Sequence, residues 1–159
     1  MPVEEKLKAA DVLFSFLISV HVKGYVAVDF YDGSIMYNFE NSRTTICDID
    51  FFRKAPVIND MGEDWPGTKR LKAPEEYELN SCIDEQTNVF TLGALLFEFF
   101  GAFTGQEMEE RYRYNRFLPC GLENWQLSEE KYRVAVRAVQ PDRKERYKTI
   151  EEFYEDWRN

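Results

Sequence analysis

The sequence predicts a mainly α fold with a small β-hairpin element near its start, and three observations carry that reading. Leu7, Ala10, Leu13, Phe14, Leu17, Ile18 and His21 recur at three- and four-residue spacing, which places them on one face of a helix. The segment Asp84 to Phe100 carries Val89, Phe90, Leu92, Leu95, Leu96, Phe97 and Phe100 around the whole helical wheel, so it belongs at the centre of the fold. Between the two lie short β-prone pieces broken by Asp and Gly.

Taken in order, the first helix runs from Val3 to about Lys23 and Gly24 ends it. Tyr25 to Tyr37 reads as two short extended pieces around a tight loop at Asp29, Asp32 and Gly33. Asn38 to Arg43 is a hairpin turn, and Thr44 to Ile49 returns as a strand. Phe51 to Lys72 has no sustained period and carries Asn59-Asp60-Met61-Gly62 and Trp65-Pro66-Gly67, so it reads as a long loop of the kind that is often functional. After the central helix, Gln106 to Arg116 is a charged surface helix, with Arg111, Arg113 and Arg116 on a solvated face. Ser128 caps a helix through Val139, and Thr149 with Glu152 gives a capping-box start for a last helix to Trp157.

The chain has 159 residues, enough for one core, and is read as a single domain over 1–159. Its 29 acidic against 20 basic residues give a formal charge of −9, which repels phosphate backbones and anionic membranes; neither nucleic acid nor membrane is an expected partner. Cys47, Cys82 and Cys120 are odd in number and too widely spaced for a zinc knuckle or a redox pair. With Glu4, Glu5 and Asp11 among the first apolar residues there is no signal-peptide pattern, and a cytoplasmic location is expected. His21, the only histidine, reads as a core residue on the first helix, and Phe97, Phe99, Phe100 and Phe103 as core aromatics.

Five features then stand in a fixed order. Asp29-Phe30-Tyr31-Asp32-Gly33-Ser34 forms a short loop, and Asp48-Ile49-Asp50-Phe51-Phe52 follows the hairpin. Gly67-Thr68-Lys69-Arg70-Leu71-Lys72-Ala73-Pro74-Glu75 leads into the central helix, which carries Asn88, and Arg146 sits late in the chain. In that order they resemble the C-terminal lobe of a Ser/Thr protein kinase, over nearly the whole chain. The resemblance implies a protein kinase-like C-lobe fold and the chemistry of phosphoryl transfer. That chemistry asks for one carboxylate near the attacking hydroxyl and for metal ions held over the phosphates.

What the resemblance implies for each residue can be stated. Asp29 would be the catalytic carboxylate, and Asp50 the Mg²⁺ ligand, with Asp48 sharing the metal if Cys47 to Asp50 is extended and both carboxylates project from one face. Ser34, where the family has Asn, would offer a hydroxyl to the metal; Tyr31, where the family has Lys, removes a positive charge. Thr68 would set its hydroxyl near Asp29, Glu75 would pair with Arg146 to fix the substrate platform, and Asn88 would brace the catalytic-loop backbone. Met36 would sit at the floor of the adenine pocket, so ATP and Mg²⁺ are the implied cofactors. Ala27 and Val28 replace His and Arg, so activation-loop phosphorylation has no arginine to engage.

A kinase also needs an N-terminal lobe with a Gly-rich strand pair and a strand lysine, and the residues before Asp29 read as one helix. That lobe is expected from elsewhere, as further chain or as a partner. Two readings stay open: the substrate- and Mg-binding lobe of a phosphotransferase acting on a protein substrate, or a catalytically degenerate, pseudokinase-like interaction module. A face left without its roof would expose Met36 and the hairpin edges, so a homo-oligomer through that face is also expected.

Overall fold

The computed structural model describes residues 1–113 and 116–159. The first helix, α1, spans Val3–Val22 and buries Ala9, Ala10, Leu13, Phe14, Leu17 and Val20, the face its spacing predicts. Gly24 stops it at φ +77°, a left-handed backbone that glycine adopts without strain, and donates its N–H to the His21 carbonyl.

The β structure is more divided than the hairpins expected. Strand β1 (Tyr25–Val26) pairs not with its neighbour but with β4 (Arg53–Lys54). Strands β2 (Ile35–Asn38) and β3 (Arg43–Ile46) form the hairpin that the sequence predicts, with Ile35 opposite Ile46 and Met36 opposite Thr45. Strands β5 (Val57–Ile58) and β6 (Cys82–Ile83) make a third two-stranded pair. The stretch read as one long loop, Phe51 to Lys72, therefore contributes two strands and a 3₁₀ turn at Gly62–Asp64. Such two-residue strands carry no period for a sequence reading to find.

Helix α2 (Glu85–Phe100) is the axis of the fold, with every residue from Thr87 to Phe97 buried. Asp84 caps it by accepting from the Gln86 N–H. Around it pack α1, α4 (Glu129–Ala138) and α5 (Ile150–Arg158), so the core joins Phe14, Phe97, Phe100, Trp125, Phe153 and Trp157. The Ser128 hydroxyl caps α4 by accepting from Lys131, and Thr149 caps α5 by accepting from Glu152. Glu152 reaches back to the Lys148 N–H, one residue before the position a capping box uses. Helix α3 is Gly105–Arg113; positions 114 and 115 of the helix expected through Arg116 lie outside the described residues.

One expectation on that helix is overturned. Arg111 is not on a solvated face but is 1% exposed, stacked between the rings of Phe103 and Phe117, with Nη2 on Glu98 at 2.5 Å. A guanidinium can be buried when ring faces and a carboxylate replace its hydration. Among the described residues no helix is long and apolar enough to cross a membrane.

The packing of α2 against α4 rests on Gly93. A Cβ there would lie 2.8 Å from the Ala138 Cβ and 2.9 Å from Val139 Cγ1, both on buried, fixed neighbours. Gly93→Ala is expected to lower stability by about 1–3 kcal/mol in urea unfolding, despite alanine's better helix propensity, because overpacking dominates. An unchanged or raised midpoint would show that α4 yields easily.

Candidate functional site

Asp29 lies just past β1, half-buried, at φ +54°. The left-handed region is uncommon for a residue with a Cβ, and Asp is one of the few types enriched there. Burial is the main influence that raises its pKa, the charge of Asp48 raises it further, and the Lys72 ammonium and a backbone hydrogen bond from Thr68 pull it down. Three groups, one from the turn after β3 and two from the Gly67–Glu75 segment, thus act on one carboxyl.

The elements behind it are firm. Asn88, buried on α2, accepts from the Ala27 N–H at 2.8 Å and donates to the Ala27 carbonyl at 2.7 Å, so an amide satisfies both backbone groups of the residue two before Asp29. His21 joins at 3.0 Å on Asn88 Oδ1, which places the histidine as a partly buried polar partner at the end of α1 rather than as apolar filling. Burial holds its pKa below the ordinary histidine value.

The metal-facing expectations need one correction. The segment Cys47 to Asp50 is not extended: β3 ends at Ile46, Asp48 turns at φ +57°, and a turn closes from the Phe52 N–H to the Ile49 carbonyl. Asp48 and Asp50 therefore do not share a strand face, and Asp48 is the one whose charge reaches Asp29. Asp50 is exposed on the turn. The cause is one of register: Cys47 donates to the Ser34 carbonyl at 2.9 Å, which ends the ladder beside the Asp29 loop and leaves Asp48 as the next residue.

Ser34 lies on the other side of that junction. Its side chain is 0% exposed and, among the described residues, its hydroxyl finds no hydrogen-bond partner, so it lies buried beneath the hairpin. Met36 points outward from β2 and is 60% exposed, an open apolar surface with no roof over it. Among the described residues no three His, Cys, Asp or Glu side chains gather into a metal cage. The Asp48 charge raises the proton affinity of Asp29, a strain that a cation near both carboxylates would relieve.

Opposite Asp29 stands the segment Gly67 to Glu75. Arg146, 2% exposed, donates from Nη1 at 2.7 Å and Nη2 at 2.9 Å to the two Glu75 oxygens. Arg143 adds a contact to Glu75 at 3.2 Å while gripping Asp84 with its other nitrogen at 2.6 and 2.7 Å. Thr87 also donates to Glu75, at 3.0 Å. Bidentate geometry with further donors on Oε1 offsets the desolvation that a buried carboxylate suffers.

Three charged residues of this region were not singled out by the sequence reading. Lys72 is 4% exposed, with Nζ on the carbonyls of Trp65 at 2.8 Å and Glu63 at 3.3 Å and over the Tyr77 ring at 4.3 Å. Arg70 bridges the platform to the Asp29–Ser34 loop, 2.5 Å from Asp32, and lies 3.5 Å from Glu98. Glu76 is 5% exposed and accepts from the Ala73 N–H at 2.7 Å; burial pushes its carboxyl up to about 8. Only the adjacency to Pro74 and Glu75 could have signalled it.

No family model and no curated protein matches the sequence. Among solved structures the PK-1 kinase of Cydia pomonella granulovirus is similar, with a TM-score of 0.72 and 17% sequence identity over 96% of this chain and 57% of that chain. The shared feature at this identity is the fold, which is protein kinase-like. The chain spans 57% of the viral kinase's length.

Two outcomes are expected from these geometries. Arg146→Met leaves the Glu75 carboxylate short of its bidentate partner and lowers stability by about 3–5 kcal/mol, as measured by chemical denaturation. For Glu76 the carboxyl pKa is raised on folding from its ordinary 4.5 to about 8, so the folded state holds the extra proton and stability falls as pH rises through that window. The stability difference between the wild type and Glu76→Gln is therefore expected to be flat below pH 4.5, to move against the wild type by up to about 1.4 kcal/mol per pH unit above it, and to level off past 8. Parallel curves across the whole range would mean that Glu76 is ionised in the folded protein.

Proposed function

We propose that this chain is the substrate- and Mg²⁺-facing C-terminal lobe of a protein kinase-like phosphotransferase that uses ATP and acts on Ser or Thr of a protein. The observation that carries the reading is the juxtaposition of the Asp29–Asp48 carboxylates with a platform braced by Glu75 and Arg146. Asp29 orients the attacking hydroxyl and accepts its proton, which suits a carboxyl whose proton affinity is already raised. Asp48, in place of Asp50, is the carboxylate that would hold magnesium together with nucleotide phosphates. Bound Mg²⁺ supplies neutralisation of phosphate charge. Thr68 approaches Asp29 through its backbone and sets the distance between platform and loop.

Lys72 supports the same reading. Tyr31 stands where the family has lysine, and Lys72 is the cation whose charge acts on Asp29 instead. Its ammonium is bound to carbonyls, so it tunes the field at Asp29 and does not itself grip a phosphate. The nucleotide-covering lobe belongs to the reading as further chain or as a partner protein, and the exposed Met36 and Phe39 on the β2–β3 hairpin are surfaces it would cover.

A second reading is favoured by one specific observation. With Ser34 sealed and Tyr31 in place of lysine, two positions that serve phosphoryl transfer in the family offer no group to a nucleotide, and this is what a pseudokinase-like interaction module would tolerate. Isothermal titration of Mg²⁺–ATP into the chain joined by its covering lobe separates the two. Under the first reading Asp48→Asn abolishes magnesium-dependent binding at least tenfold more strongly than Asp50→Asn. Binding indifferent to magnesium and to Asp48→Asn supports the module.

A further inference from the structure

Glu76 is a buried carboxyl for which the proposed chemistry has no use. Its Oε2 accepts from the Ala73 N–H at 2.7 Å, and among the described residues no hydrogen bond reaches Oε1. The cations near it are engaged elsewhere: Arg146 on Glu75 and on the carbonyls of Gln86, Gln140 and Pro141, and Lys72 on those of Trp65 and Glu63. Burial and the neighbouring Glu75 charge keep a proton on the group up to about 8, against the pull of the Ala73 N–H, Lys72 and Arg146. A neutral carboxyl has one O–H to donate, and with Oε2 accepting, that O–H is on Oε1. A buried donor left without an acceptor is costly, so Oε1 needs a partner.

Oε1 is turned toward a small space beside Asp29. A Cβ built on Gly67 would lie 3.6 Å from Oε1, and Gly67 and Glu76 line that space together with Asp29, Thr68 and Thr91. Its volume is about 10 Å³, the room of one water molecule. A water is held in a protein interior when it finds about two to four polar partners. This lining supplies them in the Glu76 O–H, the Asp29 carboxylate and the hydroxyls of Thr68 and Thr91. Thr91 Oγ donates to the Thr87 carbonyl at 3.2 Å and so keeps its lone pairs for accepting. Among the described residues no direct hydrogen bond joins Glu76 to Asp29, so a contact between the two carboxyls runs through an intermediary.

We propose that this space holds one ordered water that accepts from the Glu76 O–H and donates to the Asp29 carboxylate, which makes Glu76 a positioning residue for Asp29. The water's second hydrogen goes to Thr91 Oγ. The water site follows from the lining alone, whereas its bearing on catalysis rests on the reading of Asp29 as the group that takes the substrate proton. A carboxylate held from behind on one oxygen keeps the other aimed at the attacking hydroxyl. Glutamine at position 76 reproduces the arrangement without a titrating group: its carbonyl accepts from the Ala73 N–H and its amide N–H donates to the water. Leucine reproduces neither bond.

The test is a set of crystal structures of the wild type, Glu76→Gln and Glu76→Leu at a resolution that shows ordered water, with steady-state rates of the same proteins joined to the covering lobe on Mg²⁺–ATP and a Ser-containing peptide. A water within hydrogen-bond distance of both residue 76 and Asp29 is expected in the wild type and in Glu76→Gln, and none in Glu76→Leu. In the rates, Glu76→Leu is expected to lower kcat about tenfold with KM for ATP unchanged, while Glu76→Gln stays within about twofold of the wild type. A wild-type space without water, or a water that does not reach Asp29, overturns the inference. So does a kcat that falls equally in both variants, since a lost charge and not a lost donor would then be the cause. The wild-type and Glu76→Gln structures decide the water even where Glu76→Leu fails to fold. A wild type that transfers no phosphate sinks the phosphotransferase reading and leaves the crystallographic arm to decide the water by itself.

Discussion

The Glu75 carboxylate is the point at which three otherwise separate parts of the chain are fixed to one another. Arg146 holds both its oxygens and spends its remaining donors on the carbonyls of Gln140, Pro141 and Gln86. The platform, the first turn of α2 and the connection from α4 to α5 therefore share one guanidinium. A buried ion pair adds little net stability over a well-packed apolar pair, because desolvation offsets most of the attraction. Its value lies in direction: five hydrogen bonds of fixed geometry permit one arrangement of those three segments. Arg146 also lies 4.9 Å over the Phe90 ring, so the same residue that sets the platform also covers the middle of α2.

The parts legible in the sequence were those whose cause is local. The apolar stripe of α1, the all-round apolar α2, and the Ser128 and Thr149 caps depend on residues a few positions apart, and the helices stand where those residues put them. Arg111, Glu98 and Lys72 were not legible, because burial of a charge depends on partners distant in sequence: the Arg111 rings, or the turn carbonyls that hold Lys72. The choice between Asp48 and Asp50 turned on where β3 ends. A strand of four residues shifts its exit by one residue for the sake of a single hydrogen bond, here from Cys47 to Ser34, and a spacing argument across a hairpin turn of free length cannot see that.

The residue before Asp29 is Val28, so no arginine there holds the platform against the Asp29–Ser34 loop. In the structure that task falls to side chains already in place. Arg70 ties the platform to Asp32 of the loop, Glu98 of α2 lies 3.5 Å behind Arg70, and Arg111 closes the chain on Glu98 while donating to the Arg70 carbonyl at 3.1 Å. The two ends of this ladder differ in kind. The Asp32 end is partly solvated and therefore weak and sensitive to salt, whereas the Arg111 end is stacked between aromatic rings and shielded. The positive charge that meets Asp32 comes from the platform itself, so the joint between loop and platform is as strong, and as salt-sensitive, as one partly solvated ion pair.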